Sequence, residues 1–286
     1  MLADAIRAES YRFSLNRVLV FISVLLTPIL FAVGGLLFHW ITKTKGDEAA
    51  KAASLPLPVS TEAVNLGDAF GFAATNCANG IVLICVLIAA ATLYAGDYRW
   101  ETWRLISARN DRMSLILAKV GVVKIVAIVS SLFFLLASFV FMLAQALVYE
   151  RGLSFSVAGG DVGGIALTWL LSYIRIVQFT LVGLLAAVMT RSLLAALIVP
   201  WALGFLQSIF GQIAPALLGM DTAGWTLQLL LPGLAYDTLK DAVAGTLAAP
   251  MTPATVWKAG LGLGLWTLVP LAGALALFNR QDLSKE

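Results

Sequence analysis

Residues 94–119, YAGDYRWETWRLISARNDRMSLILAK (Tyr94 to Lys119), form a charged, tryptophan-bearing interruption between two long hydrophobic runs. Read as a helix, Trp100 and Trp103 fall one turn apart, with Arg99 and Arg104 flanking them. That gives an aromatic face edged by cations. A face of this kind suits a membrane interface, where tryptophan sits at headgroup level, and it equally suits an anchor for a protein partner, because Trp and Arg dominate interface energetics. The choice depends on which side of a membrane the segment occupies.

The composition settles the class. The chain has 286 residues, 60% of them hydrophobic and only 12% charged, with a mean hydropathy of +0.91. That much apolar surface exceeds what one water-soluble core can hide, so the chain reads as an all-α integral membrane protein. A formal net charge of +3 is too small and too dispersed for nucleic-acid binding. Cys77 and Cys85 lie within one apolar run and read as buried thiols. The charged first residues and the long run after them do not fit a cleavable signal peptide.

Leu2 to Arg17 is expected to form a membrane-surface helix, with Leu2, Ile6 and Phe13 on one side and Glu9 bordering that sector. Six spans are expected at about 18–41, 69–94, 115–149, 165–189, 193–213 and 256–278. Pro28, Pro200 and Pro270 interrupt three of them, and a glycine-rich turn with Gly159, Gly160, Gly163 and Gly164 is expected to lead into the fourth. Residues 42–68 carry Lys43, Lys45, Asp47, Glu48, Lys51 and a Leu55-Pro56-Leu57-Pro58 run and read as an outer loop. Residues 214–255 hold apolar runs too short to cross, such as Leu227 to Leu231, and are expected as short helices on the outer surface. Lys119 and Lys124 are expected to snorkel from the start of the long third span. Six spans place both termini on one side. The excess of Arg and Lys on that side, Arg99, Arg104, Arg109 and Arg112 among them, makes it cytoplasmic.

Catalytic motifs are missing. His39 is the lone histidine and reads as an interfacial ring beside Trp40, and the sequence has no H-E-x-x-H, C-x-x-C or G-x-S-x-G string. There is no G-x-x-x-x-G-K-[ST] phosphate loop, so nucleotide energy would have to come from another chain.

The order of parts resembles the type-2 ABC transporter permeases. Three patterns carry the resemblance: DYRWETWRLISAR after the second span, similar to an acidic-aromatic-Arg and Gly-Thr-aromatic-Arg pattern; the Thr190-Arg191-Ser192 turn between spans four and five; and the ending Phe278-Asn279-Arg280-Gln281-Asp282-Leu283. Glu101 departs from the family's usual Gly. The resemblance implies a single transmembrane domain over residues 1–286 in the bacterial inner membrane. It also implies a coupling helix within residues 95–114 seated on a separate ATP-binding subunit. Two such subunits, carrying ATP and Mg, would pair with two permeases, the second being another copy or a homologous permease. By the same resemblance Asp97, Arg99, Trp100, Thr102, Trp103 and Arg104 contact the ATPase, and this chain itself is no enzyme and holds no cofactor or metal.

The family's path runs between the two permeases along spans two and five. Asn76 and Asn79 share one helical face, as do Trp201, Phe205, Ser208 and Gln212. Such faces line either a cleft for amphipathic cargo (lipid, drug or peptide) or ordinary helix contacts. Arg175, with Gln178 one turn on, sits near mid-membrane, where a charge costs roughly 2.5–3.5 kcal/mol. It needs a partner, and no acid lies at matching depth in the other spans. Two rival readings are a gradient-driven transporter, which needs carboxylates that the spans nearly lack, and a membrane subunit that transmits energy to an outer-side partner without moving a solute. Gly260, Gly262 and Gly264 permit a close helix contact in the sixth span.

Overall fold

The computed structural model describes residues 2–53, 62–99, 103, 111–157, 161–246 and 252–281. It is built of helices, with one minimal parallel bridge between β1 (Val64–Asn65) and β2 (Leu153–Ser154) that joins the loops after the first and third spans. Among the described residues, six helices are long and apolar enough to cross a membrane, which makes this an all-α, multi-pass membrane protein. Glu9 and Gln281 lie at one end of the bundle, its terminal side.

The first span is continuous but irregular. After α1 (Leu2–Leu15), Asn16 breaks the chain and caps α2 (Arg17–Val20), accepting from the Leu19 N–H at 3.2 Å. A π-helical stretch, Phe21–Leu26, then leads into α3 (Thr27–Ala53). Pro28 explains the position of the π stretch. Its ring has no N–H to give and crowds the carbonyl one turn back, so the expected kink is taken up as a wider turn just before it. The helix then continues through Ala53, well past the expected end near Ile41. The sequence from Thr42 onward is polar, but it is rich in Lys, Glu and Ala and favours helix once a span has nucleated it.

The second span is two helices, α4 (Asp68–Asn76) and α5 (Gly80–Arg99). The asparagines make the break. Asn79 accepts from the N–H groups of Ile81 and Val82 at 2.9 and 3.1 Å and donates to the Asn76 carbonyl at 2.9 Å. It acts as an N-cap inside an apolar run, in the way a capping side chain satisfies orphan amides. Asn76 donates back to the Phe72 carbonyl at 2.9 Å.

The third span is α6 (Arg112–Val148), capped by Asp111, which accepts from the Ser114 N–H at 3.1 Å. The fourth is α7 (Asp161–Thr190), which takes in Gly163 and Gly164, expected in a turn. Arg191 adopts a left-handed φ of 57°. Ser192 caps the fifth span, α8 (Leu193–Leu218), so the short Thr-Arg-Ser connection forms as expected. The sixth is α11 (Pro253–Arg280), opened by a reciprocal Thr252–Thr255 capping box.

The segment between α8 and α11 corrects the sequence reading. α9 (Trp225–Leu230) and α10 (Pro232–Ala244) do not lie on the outer surface. They form a hairpin that dips into the bundle. The Leu229 carbonyl accepts from the Trp266 indole at 2.8 Å, and Trp266 stands about halfway along α11. Leu227 and Leu231 are buried against Ala214 of α8. An apolar run too short to cross can still be buried if it turns back, provided its exposed carbonyls find donors. Gln207 supplies one to Leu230 at 2.9 Å and Lys258 one to Ala223 at 2.9 Å. Of Gly260, Gly262 and Gly264 in α11, Gly262 alone makes a close approach: a Cβ there would collide with the Gln228 carbonyl oxygen, whereas Gly260 and Gly264 face open space.

Candidate functional site

Two places concentrate polar chemistry, one at the terminal side and one in the middle of the bundle. At the terminal side, α1, α5 and α6 converge on a buried ion cluster. Lys119 of α6, 1% exposed, puts its Nζ 2.5 Å from Oδ2 of the fully buried Asp97, 3.4 Å from Glu9 Oε1 and 2.9 Å from the Leu93 carbonyl. Arg12 closes the cluster from the rim, 2.8 Å from Asp97 Oδ1 and 3.7 Å from Glu9. Among the described residues two cations face two carboxylates here, and pairing of this kind is what lets charges stay in a low-dielectric place. Lys119 therefore does not snorkel as expected; Lys124, one residue beyond the next turn, is exposed. The difference is that acids from α1 and α5 arrive at the level of Lys119. Ile6, Glu9 and Phe13 turn α1 toward the bundle, and Ile6 meets the bare backbone of Gly121.

Above this cluster sits Trp103, 1% exposed. Its ring lies 4.7 Å from Phe278 of α11 and 5.5 Å from Tyr98 of α5, with the Lys119 ammonium 5.3 Å from its centre. Tyr98 donates to Gln281 at 2.9 Å, and Gln281 donates to the Val188 carbonyl at 2.5 Å. Arg112 donates to the Gln281 carbonyl at 2.7 Å. One junction thus joins α1, α5, α6, α7 and α11. Of the residues expected to contact a partner, Asp97 and Trp103 lie inside this junction, and Arg99 is exposed beside it. Trp100, Glu101, Thr102 and Arg104 lie outside the described residues, as do Leu55–Pro58, Gly159, Gly160 and Asp282.

The second place is a cavity of about 290 Å³ between α7, α8 and α10. Arg175, about halfway along α7, faces it and donates to the side-chain amide oxygen (Oε1) of Gln178, a residue 2% exposed. Ser208, Gln212 and Gln207 line it from α8, and Asp237 from α10. Asp237 is the acid that the spans lacked: it comes from the re-entrant hairpin, which the sequence reading had left on the surface. Arg175 also lies against the hairpin backbone, its Nη2 3.4 Å from where a Gly233 Cβ would be. Ser172 fixes the other flank, donating to the Ala74 carbonyl at the α4 break at 2.7 Å and sharing a 2.7 Å hydrogen bond with Tyr236. Trp201 and Phe205 do not line this cavity. They stack on one another, centroids 5.9 Å apart, and Trp201 borders a separate apolar cavity of about 200 Å³ with Ile84, Leu87 and Ile198.

No known family, curated protein or solved structure matches this chain. Asp237 and Tyr236 carried no sequence signal beyond membership of an interrupted apolar run, and Glu9 carried one, its place beside the apolar sector of α1. Among the described residues no group of His, Cys, Asp and Glu is arranged to hold a metal. His39 packs on Phe141 and Tyr149 at 4.7 and 5.6 Å. Cys77 and Cys85 are buried free thiols.

Proposed function

We propose that this chain is the permease subunit of an ABC exporter, driven by a separate ATP-binding subunit that seats on the segment between α5 and α6 from the cytoplasm. The observation that carries the reading is the burial of Trp103 in a junction shared by α5, α6 and α11. A partner that displaces this segment must move those helices together, because an interlocked aromatic and ionic junction switches between packings rather than deforming smoothly. Asp97 and Trp103 serve this reading as the inner side of the coupling element, and Arg99, Trp100, Thr102 and Arg104 as its docking side. Closing of two ATP-loaded subunits would then switch a pair of permeases between inward- and outward-open states. The cargo, an amphiphile, would cross along the face of α8.

The polar rim of α8 supports pairing. Ser208 and Gln212 are exposed on a mostly apolar helix of this single chain, and polar groups are costly against lipid. A second permease across a water-filled cleft would relieve the cost. The reading is tested by purifying the native complex. An ATP-binding chain is expected with it, and Trp100→Ala together with Arg104→Glu is expected to release that chain while the permease keeps its unfolding midpoint. A native complex without any nucleotide-binding chain would sink the proposal.

A further inference from the structure

Arg175 and Asp237 line one cavity yet make no direct ion pair: among the described residues, the single hydrogen bond of Arg175 goes to the neutral Gln178. A guanidinium offers five N–H donors, and one at mid-bundle that leaves most of them unused, with Asp237 across an open space and held by an exposed 3.4 Å pair to Lys240 on its own helix, is arranged for something that fits between. The cavity, at about 290 Å³, has room for a small polar group rather than a whole lipid.

What continues from it is apolar. Along one face of α8, Gln212, Ser208 and Gly204 line the polar cavity, and one turn further Trp201 borders the apolar cavity of about 200 Å³ between α5 and α8. These positions follow at three- and four-residue spacing, so the two cavities lie in sequence along one stripe. Phe179 closes over Gly204, 3.3 Å from where a Cβ would stand, which leaves little room at that position.

We infer that this stripe binds a zwitterionic amphiphile, its anionic group on Arg175, its ammonium toward Asp237 and its chain over Trp201 in the α5–α8 groove. Arg175 supplies the planar donor set that suits phosphate or carboxylate, Gln178 holds the guanidinium in place, and the rim amides of Gln207 and Gln212 add neutral polar contacts. A neutral head would leave the Arg175 charge uncompensated, and a purely cationic one would meet it with repulsion. As a cargo site this assignment rests on the exporter reading, but as a binding site it is a property of the permease alone, measurable without any ATPase. Its failure would leave the co-purification result untouched, and the reverse also holds.

The experiment is a thermal-shift titration of the full-length permease in a maltoside detergent, whose head is uncharged. The probes are lysophosphatidylethanolamine, lysophosphatidylglycerol, dodecyltrimethylammonium and soluble phosphoethanolamine. The zwitterionic lysolipid is expected to bind most tightly, the anionic one next, and phosphoethanolamine at least roughly tenfold more weakly than the lysolipid with the same head, since it forgoes the burial of its chain. Arg175→Gln is expected to weaken both lysolipids roughly tenfold or more, because it removes a charge-assisted bond, with Arg175→Lys keeping part of the affinity. Asp237→Asn should erase the preference for the zwitterion and leave the anionic probe unchanged. If Arg175→Gln does not assemble, Gln212→Leu on the exposed rim is expected to lower affinity for both lysolipids. Unchanged binding in Arg175→Gln, or in Gln212→Leu where that variant decides, overturns the site. Equal binding of phosphoethanolamine and its lysolipid overturns the assignment to an amphiphile, and a loss of both lysolipids in Asp237→Asn overturns the zwitterion.

Discussion

Lys119 and Asp97 face each other at 2.5 Å with essentially no exposure on either side, one from the start of the third span and the other from the end of the second. Glu9 and Arg12 bring the N-terminal helix into the same cluster. Removing one member strands the others. Lys119→Met would take from Asp97 and Glu9 the buried ammonium between them, and breaking a buried pair from one side costs about 3–5 kcal/mol. A clear fall in the unfolding midpoint of the purified permease is expected. Adding Asp97→Asn to Lys119→Met should recover part of it, because the buried charge is then gone. A double variant no better than the single one would show that the cost is packing and not charge.

Trp103 tests the junction from its aromatic side. Trp103→Ala removes a ring packed on Phe278 and Tyr98, and large-to-small changes of this kind cost about 3–5 kcal/mol. The isolated permease should lose stability with no partner present. If its midpoint is unchanged and only capture of a partner suffers, Trp103 is a surface residue.

Gly262 separates close packing from mere helix propensity. A methyl there meets the Gln228 carbonyl, while Gly260 and Gly264 are open. Gly262→Ala is expected to destabilise by about 1–3 kcal/mol, the usual range for overpacking. Gly260→Ala and Gly264→Ala are expected to be neutral or mildly stabilising, since Ala favours helix. Parallel thermal unfolding of the three variants decides this, and equal effects would place the hairpin away from α11.

Ser172 bridges the α4 break to Tyr236 on the re-entrant hairpin. Side-chain bonds between membrane helices are worth roughly 0.6–1.7 kcal/mol. Ser172→Ala and Tyr236→Phe should each cost that order, and the pair should cost less than the sum because they share one bond. Strict additivity in a double-mutant cycle would deny the contact.

Among the described residues His39 finds no hydrogen-bond partner for either ring nitrogen, and it is 5% exposed. An unsatisfied buried polar group costs about 1–3 kcal/mol. His39→Phe is therefore expected to raise the unfolding midpoint among Phe141, Tyr149 and Phe38, and a marked fall would point to a proton-linked role for the ring.

The sequence by itself determined the class and the count of spans, because runs of apolar residues long enough to cross a membrane announce themselves through length and composition. It also located the Thr190-Arg191-Ser192 connection and the break in helix regularity near Pro28, since both follow from local backbone chemistry. It did not determine what a polar residue inside a span does. Asn76 and Asn79 read equally as cleft-lining amides and became the cap of a helix break. Lys119 read as a snorkelling cation and became the centre of an ion cluster, because its acids come from α1 and α5, far away in the chain. The depth of α9 and α10 was likewise set by carbonyl acceptors for Trp266, Gln207 and Lys258, donors that lie on other helices. Only the tertiary structure decided these points. Inside an apolar bundle the cost of an unpaired polar group is fixed by whichever partner arrives from elsewhere, and that partner leaves no trace in the local pattern.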